Sequence, residues 1–244
     1  MSEPVSDQTN QIKQHVLVAE DEQNIAEILQ AYLKKEGYAV TIASDGQSAL
    51  ALAASGNIDL MLLDIMLPKM MGFDVLAQLR EKSGIPVILI TSLGNETHRL
   101  KGFELGADDY ICKPFSPREV MARVKSLMRR AYPLGQPHTS HNQDNQMLQL
   151  DDKTHSVKIL NEQVELTAFQ FRLLRVFVAH PNRIFSRDQL LDEVTGICSE
   201  SSYRAIDSHI KNLRKKLGQA APKHHIIQSV YGVGYKLNLP FLEK

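Results

Sequence analysis

Reactive side chains follow short runs of predicted strand in the first half of this 244-residue chain. Glu20 and Asp21 follow one run, Asp64 and Thr91 follow two others, and Lys113 follows a fourth. Carboxylates that lie close together repel one another unless a cation neutralises them, and Mg²⁺ accepts one to three carboxylates with a carbonyl oxygen and waters. With such an ion and a lysine beside it, Asp64 can act as a nucleophile toward a phosphoryl group.

These side chains need elements that bring them to one place. Five short runs alternate with helical patterns and are predicted to be strands: residues 16–19, 38–42, 60–63, 87–90 and 109–112. Runs rich in Val, Ile and Leu without polar alternation are typical of parallel strands buried on both faces. The pattern predicts an α/β doubly wound domain that ends with a helix at about residues 116–130. Ligands of such domains bind outside the carboxyl ends of the strands, which is where the reactive residues fall.

The composition is that of a folded chain with two unlike halves. Hydrophobic residues make up 43% of the chain and charged residues 23%, and 28 Lys and Arg cancel 28 Asp and Glu. Residues 14–130 carry 13 basic and 15 acidic side chains, a net charge of −2, whereas residues 147–244 carry 14 and 10, a net charge of +4. The difference predicts two domains with different partners and an anionic partner for the second.

Several classes of protein do not fit the sequence. Apolar runs such as residues 87–90 are far shorter than the roughly 18 residues of a membrane helix. The first 13 residues are polar and contain no apolar signal-peptide core. Cys112 and Cys198 match no zinc or redox spacing, which favours two reduced thiols. We therefore expect a cytoplasmic protein.

The composition of the chain changes near residue 130. Pro, Gly, Ser, His and amide residues replace the regularly spaced apolar residues, which predicts a flexible linker. Short alternating segments beyond it predict an antiparallel sheet, and three helical patterns and a hairpin at residues 226–237 follow. The predicted divisions are a polar tail (1–13), the doubly wound domain (14–130), the linker (131–146) and an α+β domain (147–240).

The last helical pattern, residues 204–217, is basic: five of its side chains are Arg or Lys and one is Asp. Its apolar stripe consists of Ile206, Ile210, Leu213 and Leu217. A polar stripe on another part of its surface consists of Arg204, Ser208, Lys211, Asn212 and Lys215. One face therefore packs on a core while another presents cations and an amide, and a helix of this width fits the DNA major groove.

The first half resembles the receiver domain of bacterial two-component response regulators, a flavodoxin-like fold with a five-stranded parallel sheet. The matching segments are residues 16–22 (VLVAEDE), 62–68 (LLDIMLP), 91–92 (TS) and 106–115 (GADDYICKPF). By this resemblance Asp64 is the phosphoacceptor. The ligands of Mg²⁺ are then Glu20, Asp21, Asp64 and the backbone carbonyl of Met66.

The same resemblance implies a phosphorylation switch. Thr91 and Lys113 would contact the phosphoryl oxygens, and Tyr110 would turn inward when Thr91 moves. The peptide bond between Lys113 and Pro114 would be cis. Charged residues also stand where related proteins form a two-fold dimer through the fourth helix, fifth strand and fifth helix: Arg99, Lys101, Glu104, Asp108, Asp109, Glu119, Arg123 and Arg130. Asp109 and Arg123 are the first pair to test across that dimer.

The second half resembles the winged helix-turn-helix domain of the OmpR/PhoB type. The matching segments are residues 166–167 (LT), 171–174 (FRLL), 185–187 (FSR) and 230–236 (VYGVGYK), together with the basic helix. By this resemblance the loop at residues 196–202 faces RNA polymerase, and the hairpin is a wing that reaches the minor groove. The implied DNA-binding residues are Arg204, Ser208, His209, Lys211, Asn212, Arg214, Lys215, Tyr231 and Gly232.

The departures from the family pattern remove no reactive group. Met70 and Met71 occupy a loop near the acidic residues, where the family usually has smaller or polar residues. Thr195 stands where a Trp commonly precedes the polymerase-facing loop, which implies a different anchoring of that loop. Residues 109–117 and 206–213 look closest to the envelope-stress regulators of this type.

The resemblance implies a transcription regulator and not an enzyme. A sensor histidine kinase would phosphorylate Asp64, the receiver would form a homodimer, and the paired winged helices would bind promoter DNA. One alternative keeps the fold but binds DNA without phosphorylation. A second alternative, an α/β phosphohydrolase that forms an aspartyl-phosphate during turnover, leaves the basic domain unexplained.

Overall fold

The computed structural model describes residues 13–93, 96–131, 148–151, 154–195 and 203–238. The predicted tail, apart from residue 13, and the predicted linker, apart from residue 131, lie outside these ranges. So does the loop at residues 196–202. Within the described ranges, no helix is both long enough and apolar enough to cross a bilayer.

The first half of the chain forms one parallel sheet with helices between its strands. Its elements are β1 (His15–Ala19), α1 (Gln23–Lys35), β2 (Ala39–Ala43), α2 (Gly46–Ala53), β3 (Leu60–Asp64), α3 (Gly72–Arg80), β4 (Val87–Thr91), α4 (Glu96–Glu104), β5 (Asp109–Cys112) and α5 (Pro117–Ala131). The strand order is β2-β1-β3-β4-β5. The predicted doubly wound domain is confirmed. The second strand lies one residue further along the chain than predicted.

Helices cover both faces of this sheet, which is why its strands lack polar alternation. Val16 and Val18 of β1 pack in one apolar layer with residues of α1 and α5. Leu17 and Ala19 of β1 face the opposite layer, which α2, α3 and α4 complete. Burying each large apolar side chain contributes about 1.5–3 kcal/mol. The two layers therefore hold the strand ends, and the residues that follow them, in fixed positions.

The second half of the chain is an α+β domain. Its elements are β6 (Leu148–Asp151), β7 (Ser156–Ile159), β8 (Glu162–Glu165), α6 (Ala168–Ala179), α7 (Arg187–Thr195), α8 (Tyr203–Ala220), β9 (Ile227–Val230) and β10 (Gly234–Leu237). Strands β6, β7 and β8 form an antiparallel sheet, and β9 and β10 form the predicted hairpin. The three helices, the hairpin and the small sheet share one apolar core.

Local hydrogen bonds fix where the helices of this domain begin. The backbone N–H of Gln189 donates to Ser186 Oγ at 3.1 Å, and that of Ser186 donates back to Gln189 Oε1 at 3.0 Å. This reciprocal capping is that of a capping box, with Ser186 before the helix and Gln189 three residues later. Thr167 and Gln170 form the same arrangement at the start of α6. Both helices therefore start at defined residues.

The hairpin is tied to the segment before α7 by close backbone contact. Phe185 and Tyr235 exchange two backbone hydrogen bonds of 2.9 Å. Gly234 lies so near this bridge that a Cβ atom on it would stand 1.9 Å from the carbonyl oxygen of Phe185. Glycine is thus required there. The hairpin consequently has a fixed position beside α7 and α8.

Candidate functional site

Three carboxylates meet where β1 and β3 end. Glu20 and Asp21 directly follow β1, and Asp64 is the last residue of β3. Because β1 and β3 are neighbours in the sheet, ligand oxygens of all three residues lie within 4.8 Å of one another. Glu20 and Asp64 are buried, whereas Asp21 is exposed. Burial raises the pKa of Glu20 to about 6, and the neighbouring charge of Asp64 acts in the same direction.

Lys113 neutralises this acidic cluster. Its Nζ atom donates to Asp64 Oδ2 at 2.6 Å, to Glu20 Oε1 at 2.8 Å and to Glu22 Oε1 at 3.1 Å. Burial alone lowers the pKa of Lys113, but the hydrogen bonds to Asp64 and Glu20 outweigh it and hold the pKa above its usual value. The lysine is therefore charged and bridges the ends of β1 and β3. The bond between Lys113 and Pro114 is cis, as predicted.

The donor set at this place fits a hard divalent cation. Three carboxylate groups converge, one of them exposed, and oxygen ligands of this kind are those that Mg²⁺ prefers. Asp64 Oδ1 accepts a hydrogen bond of 2.9 Å from the backbone N–H of Met66, so the segment after β3 folds back over the carboxylate. The Met66 side chain is half exposed. The cluster is thus open to solvent on the side of Asp21 and Met66.

Thr91 of β4 and Tyr110 of β5 both form hydrogen bonds to the backbone of Leu93, which follows β4. Thr91 is completely buried, and its hydroxyl accepts a hydrogen bond of 3.1 Å from the backbone N–H of Leu93. The Tyr110 hydroxyl donates to the carbonyl oxygen of Leu93. Burial raises the pKa of Tyr110 to about 12. The Tyr110 ring lies inward, beside Gly102 of α4, so its position is coupled to that helix.

The charged residues predicted for the dimer interface differ from one another in exposure and in the contacts that they form within the single chain. Arg123 forms an ion pair with both oxygens of Asp109, at 3.0 and 2.9 Å, and with Glu119 of the same helix. Lys101 and Glu104 are exposed on α4 and Arg99 is half-buried. The Asp108 side chain is completely buried. The side chain of Arg130 lies outside the described part of the chain.

The basic helix α8 carries its apolar stripe as predicted. Ile206, Ile210, Leu213 and Leu217 are all buried in the core of the second domain. Among the residues predicted to bind DNA, Lys211 and Lys215 are exposed. The helix thus presents part of its basic surface to solvent.

The other residues predicted to bind DNA, on α8 and the hairpin, differ in their exposure and in their hydrogen-bond partners. Ser208 and His209 are buried, and the Asn212 amide donates to the carbonyl oxygen of Glu104 in the first domain at 2.7 Å. Arg214 binds the hairpin through the carbonyl oxygen of Ile227 and the hydroxyl of Ser229. At the hairpin turn, the Tyr231 side chain is exposed and Gly232 has a φ of 71°. The side chain of Arg204 is not among those described.

Two polar contacts near the acidic cluster were not predicted. Glu22 is a third partner of Lys113, and the Glu-Asp-Glu run at residues 20–22 was the signal for it. Lys69 binds Asp45, which caps α2 through the backbone N–H of Ser48, and these contacts lower the pKa of Asp45 to about 2. The position of Lys69 in the loop after β3 was visible in the sequence, but its partner was not.

A parallel sheet with an acidic triad, a lysine and a buried hydroxyl at its carboxyl edge, joined to a winged helix, defines a receiver coupled to a DNA-binding domain. Residues 16–125 match the family model described as response regulator receiver domain. Residues 161–237 match that described as transcriptional regulatory protein, C terminal. The chain belongs to the two-component response regulators of the OmpR/PhoB type, a family of DNA-binding transcription regulators and not of enzymes.

Individual relatives support this assignment over nearly the whole chain. The transcriptional regulatory protein SrrA of Staphylococcus aureus (strain NCTC 8325 / PS 47) is 42% identical over 229 residues, which are 92% of this chain and 95% of SrrA. Two solved structures of RitR mutants superpose with TM-scores of 0.71 and 0.70 at 29% and 28% identity. Each covers 92% of this chain and 99% of its own, so the likeness includes both domains.

Proposed function

We propose that Asp64 accepts a phosphoryl group from a sensor histidine kinase and that this modification controls promoter binding by the second domain. The observation that carries the proposal is the convergence of Asp64, Glu20, Asp21 and Lys113 at the edge of the sheet. Receiver domains imply a kinase partner, and the C-terminal family implies DNA. Because the partner of the second domain is chromosomal DNA, we place the protein in the cytoplasm.

The transfer needs few movements of protein atoms. Asp64 Oδ1 accepts a hydrogen bond from the backbone N–H of Met66 and Oδ2 accepts one from Lys113, and we assign Oδ2 as the attacking oxygen. A bond forms between Oδ2 and phosphorus while the bond from phosphorus to the kinase histidine nitrogen breaks, and that nitrogen keeps the electron pair. Lys113 already touches Oδ2 and can follow the new phosphoryl oxygens. The Thr91 hydroxyl, now bound by the Leu93 N–H, is their second contact.

Glu20, Asp21, Asp64 and the backbone carbonyl of Met66 are the groups that would hold Mg²⁺. The ion supplies positive charge that offsets the charge of the transferred phosphoryl group and of the carboxylates. A phosphoryl group adds roughly −1.5 to −2 charge and three acceptor oxygens. Lys113 must then divide its hydrogen bonds between that group and Glu20, which biases the surrounding loops toward a second arrangement.

Dimerisation is the proposed consequence for the receiver. The groups available for it are the charged residues Arg99, Lys101, Glu104, Asp108, Asp109, Glu119, Arg123 and Arg130. Asp109 and Arg123 pair within one chain, and exchange of such pairs across a two-fold axis would preserve their ionic contacts. Two linked winged helices bind adjacent half-sites with a higher effective concentration than one. Promoter affinity therefore rises when the receivers pair.

Two finer assignments complete the proposal. The loop at residues 196–202, outside the described part of the chain, would contact RNA polymerase, as the resemblance of the winged domain implies. Residues 109–117 and 206–213 support a role among the envelope-stress regulators of this family. Measuring which genes respond to deletion of the gene in its host tests the second assignment, and a regulon without envelope functions would overturn it.

A small-molecule phosphodonor tests the proposed chemistry. Wild-type protein and an Asp64→Ala control are incubated with acetyl phosphate and Mg²⁺, and intact masses are followed over time. We expect wild type to gain one long-lived phosphoryl group and the control to gain none. Continuous release of inorganic phosphate without a stable adduct would indicate a phosphohydrolase. Absence of any adduct on wild type would indicate a regulator that acts without phosphorylation.

A further inference from the structure

The segment after β3, residues 65–72, brings the backbone of Met66 to the acidic cluster, and we call this segment the metal loop. The Met66 N–H donates to Asp64 Oδ1 at 2.9 Å, and the carbonyl group of the same residue is the one assigned above to Mg²⁺. A backbone carbonyl cannot be reoriented by a side-chain rotation, and Mg²⁺ demands near-octahedral geometry. The position of the metal loop therefore determines how well the ion is held.

The metal loop is closed at its base by a backbone hydrogen bond. The N–H of Gly72, the first residue of α3, donates to the carbonyl oxygen of Ile65 at 2.8 Å. Within the loop, the Met70 N–H donates to the carbonyl oxygen of Pro68 at 2.8 Å. These contacts shape the loop, but neither of them joins its middle to the rest of the domain.

The corner between β2 and α2 supports the middle of the metal loop. The Gly46 N–H donates to the carbonyl oxygen of Pro68 at 3.1 Å. A Cβ atom on Gly46 would lie 2.1 Å from the carbonyl oxygen of Met70, so the two backbones are in direct contact, which glycine permits. Because β2 and β3 flank β1 on its two sides, the segments that follow them meet beyond the end of β1.

An ion pair joins the same two segments. Lys69 Nζ donates to Asp45 Oδ2 at 2.9 Å. Asp45 is itself fixed, because it is the N-cap of α2: its Oδ1 atom accepts from the backbone N–H of Ser48, and its Oδ2 atom accepts from the Ser48 hydroxyl, each at 2.9 Å. The lysine thus ties the metal loop to the start of a helix.

Lys69 has a backbone conformation that lysine rarely adopts. Its φ of 64° lies in the left-handed region, which is uncommon for residues other than glycine, asparagine and aspartate. Such a conformation persists where the surrounding structure enforces it, and residues of this kind cluster at functional sites. The ion pair with Asp45 and the hydrogen bond from Gly46 to the adjacent Pro68 are contacts that enforce it here.

We propose that Lys69 and Asp45 are positioning residues for Mg²⁺: their ion pair holds the metal loop against the corner between β2 and α2 and so presents the Met66 carbonyl to the ion. The proposal rests on the function proposed above and adds two residues that act through the loop. Without this support the ion has to order the loop itself, and that ordering costs part of the binding free energy. Loss of groups that orient metal ligands typically weakens metal binding about 10–100-fold.

Two variants remove the ion pair in different ways. Lys69→Met removes the cation, and Asp45→Asn removes the anion while keeping a residue that caps a helix about as well as aspartate does. Titration of full-length, unphosphorylated protein with Mg²⁺ is followed through the amide NMR resonances of Met66 and its neighbours. We expect about tenfold weaker affinity in each variant. The double variant should lose no more than either single one, because both changes remove the same contact.

The sign of the effect in Lys69→Met separates positioning from simple charge. Loss of a positive charge near a cation site would by itself strengthen Mg²⁺ binding. Lys82→Met removes the same charge from an exposed residue in the turn after α3, at the other end of that helix, and is the matched control. We expect this control to bind Mg²⁺ as wild type does.

Phosphorylation by acetyl phosphate gives a second readout. The Mg²⁺ concentration for half-maximal rate should rise about tenfold in both variants. The rate at saturating Mg²⁺ should stay that of wild type, because Asp64, Lys113 and Thr91 are unchanged. Wild-type Mg²⁺ affinity in both variants, or tighter binding by Lys69→Met, would refute the positioning role. Failure of wild type itself to bind Mg²⁺ or to form the Asp64 adduct would instead refute the proposed function.

Discussion

Two lysines of the receiver show how the same residue type acquires different roles from its surroundings. Lys113 is largely buried and bridges Asp64, Glu20 and Glu22, whereas Lys69 is exposed and binds Asp45. The sequence identified the reactive residues because each stands at the end of an apolar run or directly after it. It did not identify Glu22 or Asp45 as lysine partners, since the reach of a long side chain depends on three-dimensional distances.

Replacement of Lys113 by methionine should destabilise the receiver more than the same change at Lys69. Lys113→Met leaves the buried Glu20 and Asp64 carboxylates without their counter-ion, and breaking a buried ion pair costs about 3–5 kcal/mol. Because the side chain of Lys113 is slightly exposed, we expect about 3 kcal/mol. Urea denaturation in the presence of EDTA measures the free energy of unfolding. Addition of Mg²⁺ should restore part of the loss.

Lys69→Met is the control for this prediction. The Lys69 side chain is 59% exposed, and Asp45 keeps its hydrogen bonds from Ser48, so loss of the ion pair should change the free energy of unfolding much less. Equal losses in the two variants would show that Lys113 does not neutralise the acidic cluster in solution.

The titration of His209 should report on the packed arrangement of the two domains, the closed form, in which His209 lies between Phe103 and Phe169. Burial, with the positive charges of Arg172 and Arg80, lowers the pKa of His209 from 6.5 to about 3. Asp108 pairs with both of these arginines. A base whose pKa is depressed in the closed form stabilises that form above pH 6.5 and loses this contribution as the pH falls. Between pH 7.5 and pH 5 the ratio of closed to open protein should fall about 30-fold.

Scattering measured across this pH range gives the test. His209→Gln keeps a planar polar side chain but does not titrate, so its radius of gyration should depend less on pH than that of wild type. Identical pH dependence in the two proteins would show that His209 is not buried between the domains in solution.

At the scale of elements, α8 illustrates what a pattern can and cannot predict. Its apolar stripe predicted the face that packs on its own domain, because spacings of three and four residues place side chains on one side of a helix. The second buried stripe of Ala205, His209 and Asn212 is short and mixed in polarity, so nothing in the sequence distinguished contact with a receiver from contact with DNA. The receiver strands were predicted to within one residue because their runs are mainly apolar.

Alanine substitutions on α8 should separate base reading from phosphate contact. In phosphorylated protein, Asn212→Ala should cost about 1–3 kcal/mol of operator binding and relax base preference at one position. Lys211→Ala should weaken binding to all DNA sequences equally. It should also lower the number of counterions released on binding, measured from the salt dependence of the affinity, by about one. Fluorescence anisotropy with a panel of operator variants measures both. Lys158→Ala, exposed on β7 of the same domain, is the control. Unchanged affinity and base preference in both α8 variants would remove this helix from the interface.

At the scale of the whole molecule, the chain joins a receiver to a DNA-binding domain. The charge difference between residues 14–130 and 147–244 predicted two domains with separate partners, and the family assignment agrees with it. The contact between the domains was not predictable, because Asp108 and the Phe169 N–H are 61 residues apart and no periodic pattern joins them. Asp108 was predicted as a dimer residue, and in the single chain it instead anchors α6.

The central claim is that a phosphoryl group on Asp64 changes how tightly the second domain holds DNA. The most direct measurement is an anisotropy titration of an operator duplex, selected from random DNA with the phosphorylated wild type. It is carried out with wild type and Asp64→Ala, each before and after acetyl phosphate and Mg²⁺. The account predicts at least about tenfold tighter binding for treated wild type and no change for the variant. Equal affinity of wild-type protein before and after treatment, with the adduct confirmed by mass in the same sample, would contradict it.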